Sequence, residues 1–246
     1  MQVEFIADRY YYNFLMMIHN NISEIKQKIN DTAILISKNP QDIKLLAVTK
    51  TLPAETVRKA VEAGLLMFGE NRVQEAREKT MILQSIFPDR NIQWHLIGNL
   101  QKNKAKYAVQ LFDLIHTVDS AELADILNRE AHKIGKIQNL LVQVKLSDEE
   151  TKHGISEQET RGLVKHITGL TNLRLLGLMT IPPFFEDPED ARPYFSKLRL
   201  IRDTIECQEG ISLPELSMGM SHDFEAAIQE GATIIRIGTA IFGQRR

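Results

Sequence analysis

Leu45-Leu46-Ala47-Val48-Thr49-Lys50-Thr51-Leu52-Pro53 reads as a strand buried on both faces that ends in a lysine. A continuous apolar run without polar alternation belongs inside a parallel sheet. Pro53 stops the strand and suits the first turn of a helix, so the chain turns outward just after Lys50. Active sites of parallel α/β folds are built at that carboxyl edge. A lysine rooted there is partly desolvated, which lowers its pKa and frees the neutral amine for a Schiff base. The alternative is an ordinary strand-end lysine reaching to solvent.

Outward from this stretch the same pattern recurs. Upstream, Ile18, Ile22, Ile25, Ile29, Ala33 and Ile36 follow helical spacing, and Pro40 ends that helix. Downstream, strands are predicted at residues 66–71, 92–98, 114–119, 140–146, 173–180, 214–219 and 234–238. Helices are predicted between them, at 55–63, 72–83, 102–109, from Ser120 to Gly135, from Ser156 onward, at 188–206 and at 222–229. Ser120 reads as an N-cap, and Ser156 with Glu159 has capping-box spacing. Strict alternation counted to eight predicts an α/β fold, a single (β/α)8 TIM barrel with an extra amino-terminal helix. A doubly wound sheet is the alternative, but it seldom needs eight parallel strands in 246 residues. The barrel is expected to span residues 18–246. Residues 1–17 read as an amino-terminal extension, disordered or packed on the barrel or a neighbour. An over-extended reading frame that truly starts at Met16 or Met17 is the other reading.

The totals agree with one soluble globular domain. Hydrophobic residues are 43% and charged residues 25%, so a sizeable core needs no staple. Net charge is -2, from 30 basic and 32 acidic residues, which gives no reason to expect nucleic acid or an anionic membrane as partner. The single cysteine, Cys207, excludes an internal disulfide and fits a reducing cytoplasm. No apolar run reaches the length of a membrane span, and the greasy stretch at residues 10–18 lacks a basic leader and a cleavage site. A monomer is expected.

Phosphate sites in such barrels are often built by the loops after the seventh and eighth strands. Here those loops read Ser217-Met218-Gly219-Met220-Ser221-His222-Asp223 and Arg236-Ile237-Gly238-Thr239-Ala240. Their small residues let backbone N–H groups approach an anion, and Ser221 falls at a predicted helix start. Alternatively, Gly219 and Gly238 only permit tight turns and Ser221 only caps. A phosphate cradle beside a lysine on strand one suits pyridoxal 5'-phosphate, because strand one neighbours strand eight in a closed barrel. Lys50 would form the aldimine and the loops would hold the phosphate. Arg236 would donate to the pyridine nitrogen without yielding a proton, which leaves the ring a poor electron sink.

These segments, with Phe68-Gly69-Glu70-Asn71-Arg72-Val73-Gln74-Glu75, Trp94-His95-Leu96-Ile97-Gly98, His153-Gly154-Ile155, Gly177-Leu178-Met179 and Ile241-Phe242-Gly243, resemble the pyridoxal phosphate homeostasis proteins. These are also called proline synthase co-transcribed homologues. The resemblance runs from about residue 18 to the end, in order. It implies a barrel similar to the amino-terminal domain of alanine racemase, with the cofactor held as an aldimine on Lys50. It implies that Ser221, Gly238 and Thr239 hold the phosphate, that Arg236 meets the pyridine nitrogen, and that Asn71 and Ser217 lie near the cofactor. It implies buffering or delivery of the cofactor, with PLP-dependent apoenzymes as partners and no catalytic residues. The chain departs from the family in its amino-terminal arm and in stopping soon after Gly243.

The enzyme alternative is a racemase of the alanine racemase type. It needs a second acid/base facing Lys50. In alanine racemase a tyrosine from a carboxyl-terminal β domain supplies it. Tyr10, Tyr11, Tyr12, Tyr107 and Tyr194 are not at strand ends predicted to face the site. A Schiff-base aldolase shares the lysine and phosphate loop but usually carries its lysine on a later strand. The seven histidines show no ligand spacing, so no metal is expected. His95 reads as pocket lining or as core. Lys102, Lys104 and Lys106 read as a solvated helix face, Glu149 and Glu150 as loop charge, and Trp94 and Phe68 as core.

Overall fold

The protein is seen in a computed structural model that describes the backbone of residues 2–147, 149 and 153–244, with side chains from Tyr12 onward. The expected arm at 1–17 therefore lies partly outside the described residues, as does the expected loop charge at Glu150.

Helix α1 (Gln2–Leu35) precedes the first strand. It buries Ile18, Ile22, Ile25, Ile29 and Ala33 of the expected stripe, while Ile36 lies just past the helix end and is exposed. Phe14 and Met17 also pack on the core, and Lys59 Nζ sits 4.9 Å from the Phe14 ring centre. Then β1 (Lys44–Val48), α2 (Ala54–Glu62), β2 (Met67–Glu70), α3 (Val73–Ile86), β3 (Gln93–Leu96), α4 (Ala105–Leu111) and β4 (Leu114–Val118) alternate. The second half repeats the pattern with α5 (Ala121–Lys133), β5 (Gln138–Lys145), α6 (Glu157–Thr168), β6 (Leu173–Met179), α7 (Arg192–Glu209), β7 (Glu215–Met220), α8 (Phe224–Gln229), β8 (Ile234–Ile237) and α9 (Thr239–Phe242). Every strand is parallel to its neighbour, and β8 pairs back onto β1 with Leu46 beside Arg236. The sheet is a closed eight-stranded barrel.

Alternation of side chains along each strand sorts two apolar layers. Leu46, Leu114, Leu141, Met179 and Ile234 fill the interior. Ala47, Phe68, Trp94, Ile115, Leu140 and Ile237 face the helices in the outer layer. Among the described residues, no helix is long and apolar enough to cross a membrane.

The structure departs from the sequence expectations at several places. Pro40 does not end α1, which stops at Leu35, but opens a 3₁₀ turn (Pro40–Asp42), and residues 188–191 form a 3₁₀ turn before α7. The basic segment opens as a 3₁₀ turn, Lys102–Lys104, before α4. Ile155 and Ser156 form a two-residue ladder beside Val144 and Lys145 of β5, an element absent from the sequence reading. Helix α8 starts at Phe224 rather than His222. The Asp223 carboxylate accepts the Met220 N–H at 2.6 Å, which holds residues 220–223 in a turn. Ser221 is thus neither an N-cap nor at a helix start.

Candidate functional site

The carboxyl ends of β1, β7 and β8 meet at one sector of the barrel mouth. Lys50 lies two residues beyond β1, half-buried, with Thr49 buried behind it. Thr51, the next residue, has φ +64, an uncommon conformation for a β-branched side chain. Such backbone strain clusters at functional positions.

Arg236 is carried by β8 and is almost fully buried. Its Nη1 donates to Ser217 Oγ at 2.7 Å and its Nη2 to the Thr180 carbonyl at 2.9 Å. Among the described residues no carboxylate hydrogen-bonds it. Burial pushes the guanidinium down to about 10, partly offset by the Asp223 charge, so it stays cationic at neutral pH. A buried cation held only by neutral acceptors is expensive, and such groups concentrate where a ligand completes the charge balance.

Ser217 leads to a second chain of contacts. His116 Nδ1 is 2.9 Å from Ser217 Oγ, and His116 Nε2 is 3.0 Å from His95 Nδ1. Arg236 can only donate, so Ser217 Oγ accepts there with one of its two lone pairs. The other lone pair and the hydroxyl proton let the contact with His116 Nδ1 run in either direction, and the His116–His95 contact takes the direction that the His116 tautomer sets. Both imidazoles are neutral. Burial and the Lys44 charge lower His95 to about 3, and burial, His95 and Arg236 lower His116 well below its ordinary value. The chain crosses the barrel interior from β3 to β8.

Ser221 follows β7 directly. Its Oγ accepts the N–H groups of Gly238 at 3.2 Å and Ala240 at 3.3 Å, drawing the loop after β8 onto the loop after β7. Gly219, just before, has φ +88, and a Cβ there would lie 2.6 Å from Ala227 Cβ. Only glycine lets α8 pack so closely under this loop. Thr239 is exposed at the rim.

Ser217, Ser221, Arg236 and Gly238 are therefore linked by direct hydrogen bonds or by one shared loop. Lys50 flanks them across the β1–β8 pairing, and Thr239 adjoins Gly238. Asn71 lies just beyond the end of β2, the strand that pairs with β1 on the side away from β8. It lines a cavity of about 560 Å³ with Arg72, Arg77, Gly98, Lys104 and Tyr107. The β2 and β3 loops touch there: a Cβ on Gly98 would sit 2.3 Å from the Asn71 carbonyl oxygen. Tyr107 enters this cavity from α4, not from a strand end.

Sequence reasoning missed His116, Thr180 and the residues around Thr49. The inward parity of His95 and His116 on adjacent strands was the available signal for the pair. A backbone carbonyl such as that of Thr180 leaves no trace in sequence.

The donor set suits a phosphorylated aldehyde: an amine, a buried guanidinium, and amide and hydroxyl groups gathered by two loops. Comparison with known proteins points the same way. The alanine racemase N-terminal domain family matches residues 16–246. The pyridoxal phosphate homeostasis protein of Aquifex aeolicus is 44% identical over 225 residues, covering 92% of this chain and 97% of its own length. That of Escherichia coli is 38% identical over 233 residues, covering 93% and 97%. Both relatives are named as homeostasis proteins rather than as enzymes. Among solved structures, PipY of Synechococcus elongatus with PLP bound is 40% identical, with a TM-score of 0.77, covering 87% of this chain and 100% of that one. An alanine racemase of Clostridium difficile shares the fold, with a TM-score of 0.71 at 16% identity, over 95% of this chain and 57% of that one.

Proposed function

The chain belongs to the pyridoxal phosphate homeostasis protein family, and from that premise we propose that it binds pyridoxal 5'-phosphate reversibly and buffers or delivers it. The carrying observation is Arg236, a buried cation whose hydrogen-bond partners among the described residues are neutral, beside amides of Gly238 and Ala240 gathered by Ser221. Pyridoxal phosphate supplies an aldehyde that condenses with an amine, and a phosphate that needs donors. Lys50 is the proposed covalent anchor. Ser221, Gly238 and Thr239 bind the phosphate, and Ser221 gives up its present amide partners or shares them. Arg236, steadied by Ser217 and the Thr180 carbonyl, meets the ring nitrogen as a donor. Asn71, just beyond β2 on the other side of β1 from β8, borders the Lys50 sector.

A guanidinium cannot hand a proton to the ring nitrogen, so the site does little to draw electrons from a bound amino acid. That favours a carrier over a racemase. A racemase also needs a second acid/base opposite Lys50. Tyr107 lies exposed on α4 rather than at a strand end. The proposed recipients are PLP-dependent apoenzymes, and the proposed compartment is the cytoplasm.

Transfer tests this reading. The protein is loaded with pyridoxal phosphate, freed of excess ligand, and mixed with an apo-aminotransferase. Recovery of aminotransferase activity, with no L-alanine racemisation by the loaded protein itself, is the expected result. Sustained racemisation with no transfer contradicts it.

A further inference from the structure

The turn that carries Lys50 is held from outside the barrel. The Leu52 N–H donates to the Thr49 carbonyl at 3.0 Å, closing a four-residue turn with Lys50 at its second position. Thr51 occupies the third position at φ +64. Positive φ at that position alone defines a type II turn, whose third residue is normally glycine or asparagine. Threonine there is strained and persists only where its surroundings impose it.

The surroundings that impose it come from the next strand–helix unit. Thr51 N–H donates to Glu75 Oε2 at 3.0 Å. Lys79 Nζ donates to the Thr49 carbonyl at 2.7 Å and to Glu70 Oε1 at 2.6 Å. Thr49 Oγ1 donates to the same Glu70 oxygen at 2.6 Å, and Thr49 N–H donates to the Gly69 carbonyl at 3.0 Å. The side chains of Glu70 and Lys79 are 0% and 7% exposed. Glu70 ends β2, while Glu75 and Lys79 lie four apart on one face of α3. An ion pair this deeply buried is weak evidence of net stabilisation by itself. Here its other contacts converge on Thr49, while Glu75 holds Thr51, so both residues that flank Lys50 are gripped.

We propose that Glu70, Glu75 and Lys79 are positioning residues that fix the Lys50 turn for condensation with the cofactor aldehyde. The inference rests on the reading of Lys50 as the covalent anchor. In that step one C=N bond forms, and the aldehyde oxygen leaves as water with the two protons of the neutral amine. The three residues touch neither reactant. They set the direction in which Lys50 leaves the backbone, and that determines how much adduct exists at equilibrium.

The experiment titrates the full-length protein with pyridoxal 5'-phosphate, and follows the adduct band and its borohydride-trapped mass on Lys50. Glu75→Ala is expected to weaken adduct formation about tenfold or more while the melting temperature stays close to wild type. Glu75→Gln keeps an acceptor for the Thr51 N–H and is expected to restore binding. The paired change Glu70→Gln with Lys79→Met avoids a lone buried charge and is expected to weaken the adduct like Glu75→Ala. Glu75→Ala binding like wild type, with the adduct still on Lys50, overturns the positioning role. No adduct on Lys50 in the wild-type protein removes the anchor reading itself, and the positioning role with it.

Discussion

Arg236 Nη1 lies 2.7 Å from Ser217 Oγ, joining neighbouring strands β8 and β7 inside the barrel. The same hydroxyl serves His116, so one small side chain satisfies a cation on one side and an imidazole on the other. Ser217→Ala strands both partners in the interior. Leaving a buried polar group unpaired costs about 1–3 kcal/mol, more beside a charge. An unfolding free energy lowered by at least about 1 kcal/mol in urea titrations is expected, and an unchanged value contradicts the shared role.

Arg236→Met separates stability from binding. Replacing a buried charge by an apolar side chain of similar length is often neutral or stabilising. The variant is expected to melt at or above the wild-type temperature while pyridoxal phosphate affinity drops about tenfold or more. Lower stability with intact affinity makes Arg236 a structural residue instead.

The neutral histidines give stability a pH dependence of known sign. His95 titrates at about 3 in the folded chain, and His116 well below its ordinary value. Both take up protons near about 6.5 when unfolded. The unfolded chain binds more protons below that value, so this contribution is complete above about 6.5 and is lost as pH falls. Glu70, Asp119 and Asp223, whose carboxyls burial pushes up, act with the opposite sign. The difference between wild type and His116→Gln isolates the imidazole. Relative to the variant, wild type is expected to lose up to roughly 1.4 kcal/mol per pH unit below about 6. Parallel curves contradict the neutral assignment.

Gly219→Ala tests the loop after β7. Both the left-handed backbone and the 2.6 Å approach to Ala227 oppose a side chain. A drop in melting temperature together with weaker phosphate binding is expected from thermal melts and a pyridoxal phosphate titration. A variant that binds as wild type separates the turn from the site.

The eight strands were legible because each is a short apolar run bounded by Gly, Pro or a cap, and burial on both faces demands such runs. Ser120 and Ser156 cap as their spacing indicated, accepting the N–H groups of Leu123 and Glu159. Ser221 misled, since its helix start depended on where the Asp223 carboxylate turned. The residues around Lys50 were partly legible: a lysine at a strand end is visible in sequence. The contacts of Glu70, Glu75 and Lys79 to residues 49 and 51 arise only when two βα units pack side by side.

The most direct test of the central claim is an absorption spectrum of the purified protein with pyridoxal 5'-phosphate, beside a Lys50→Ala variant. A band near roughly 420 nm that borohydride abolishes, present in the wild type and absent in the variant, is the expected result. An unaltered band in the variant places the covalent anchor elsewhere. No band in either protein removes pyridoxal phosphate as the ligand, and leaves the barrel with its buried Arg236 in need of another.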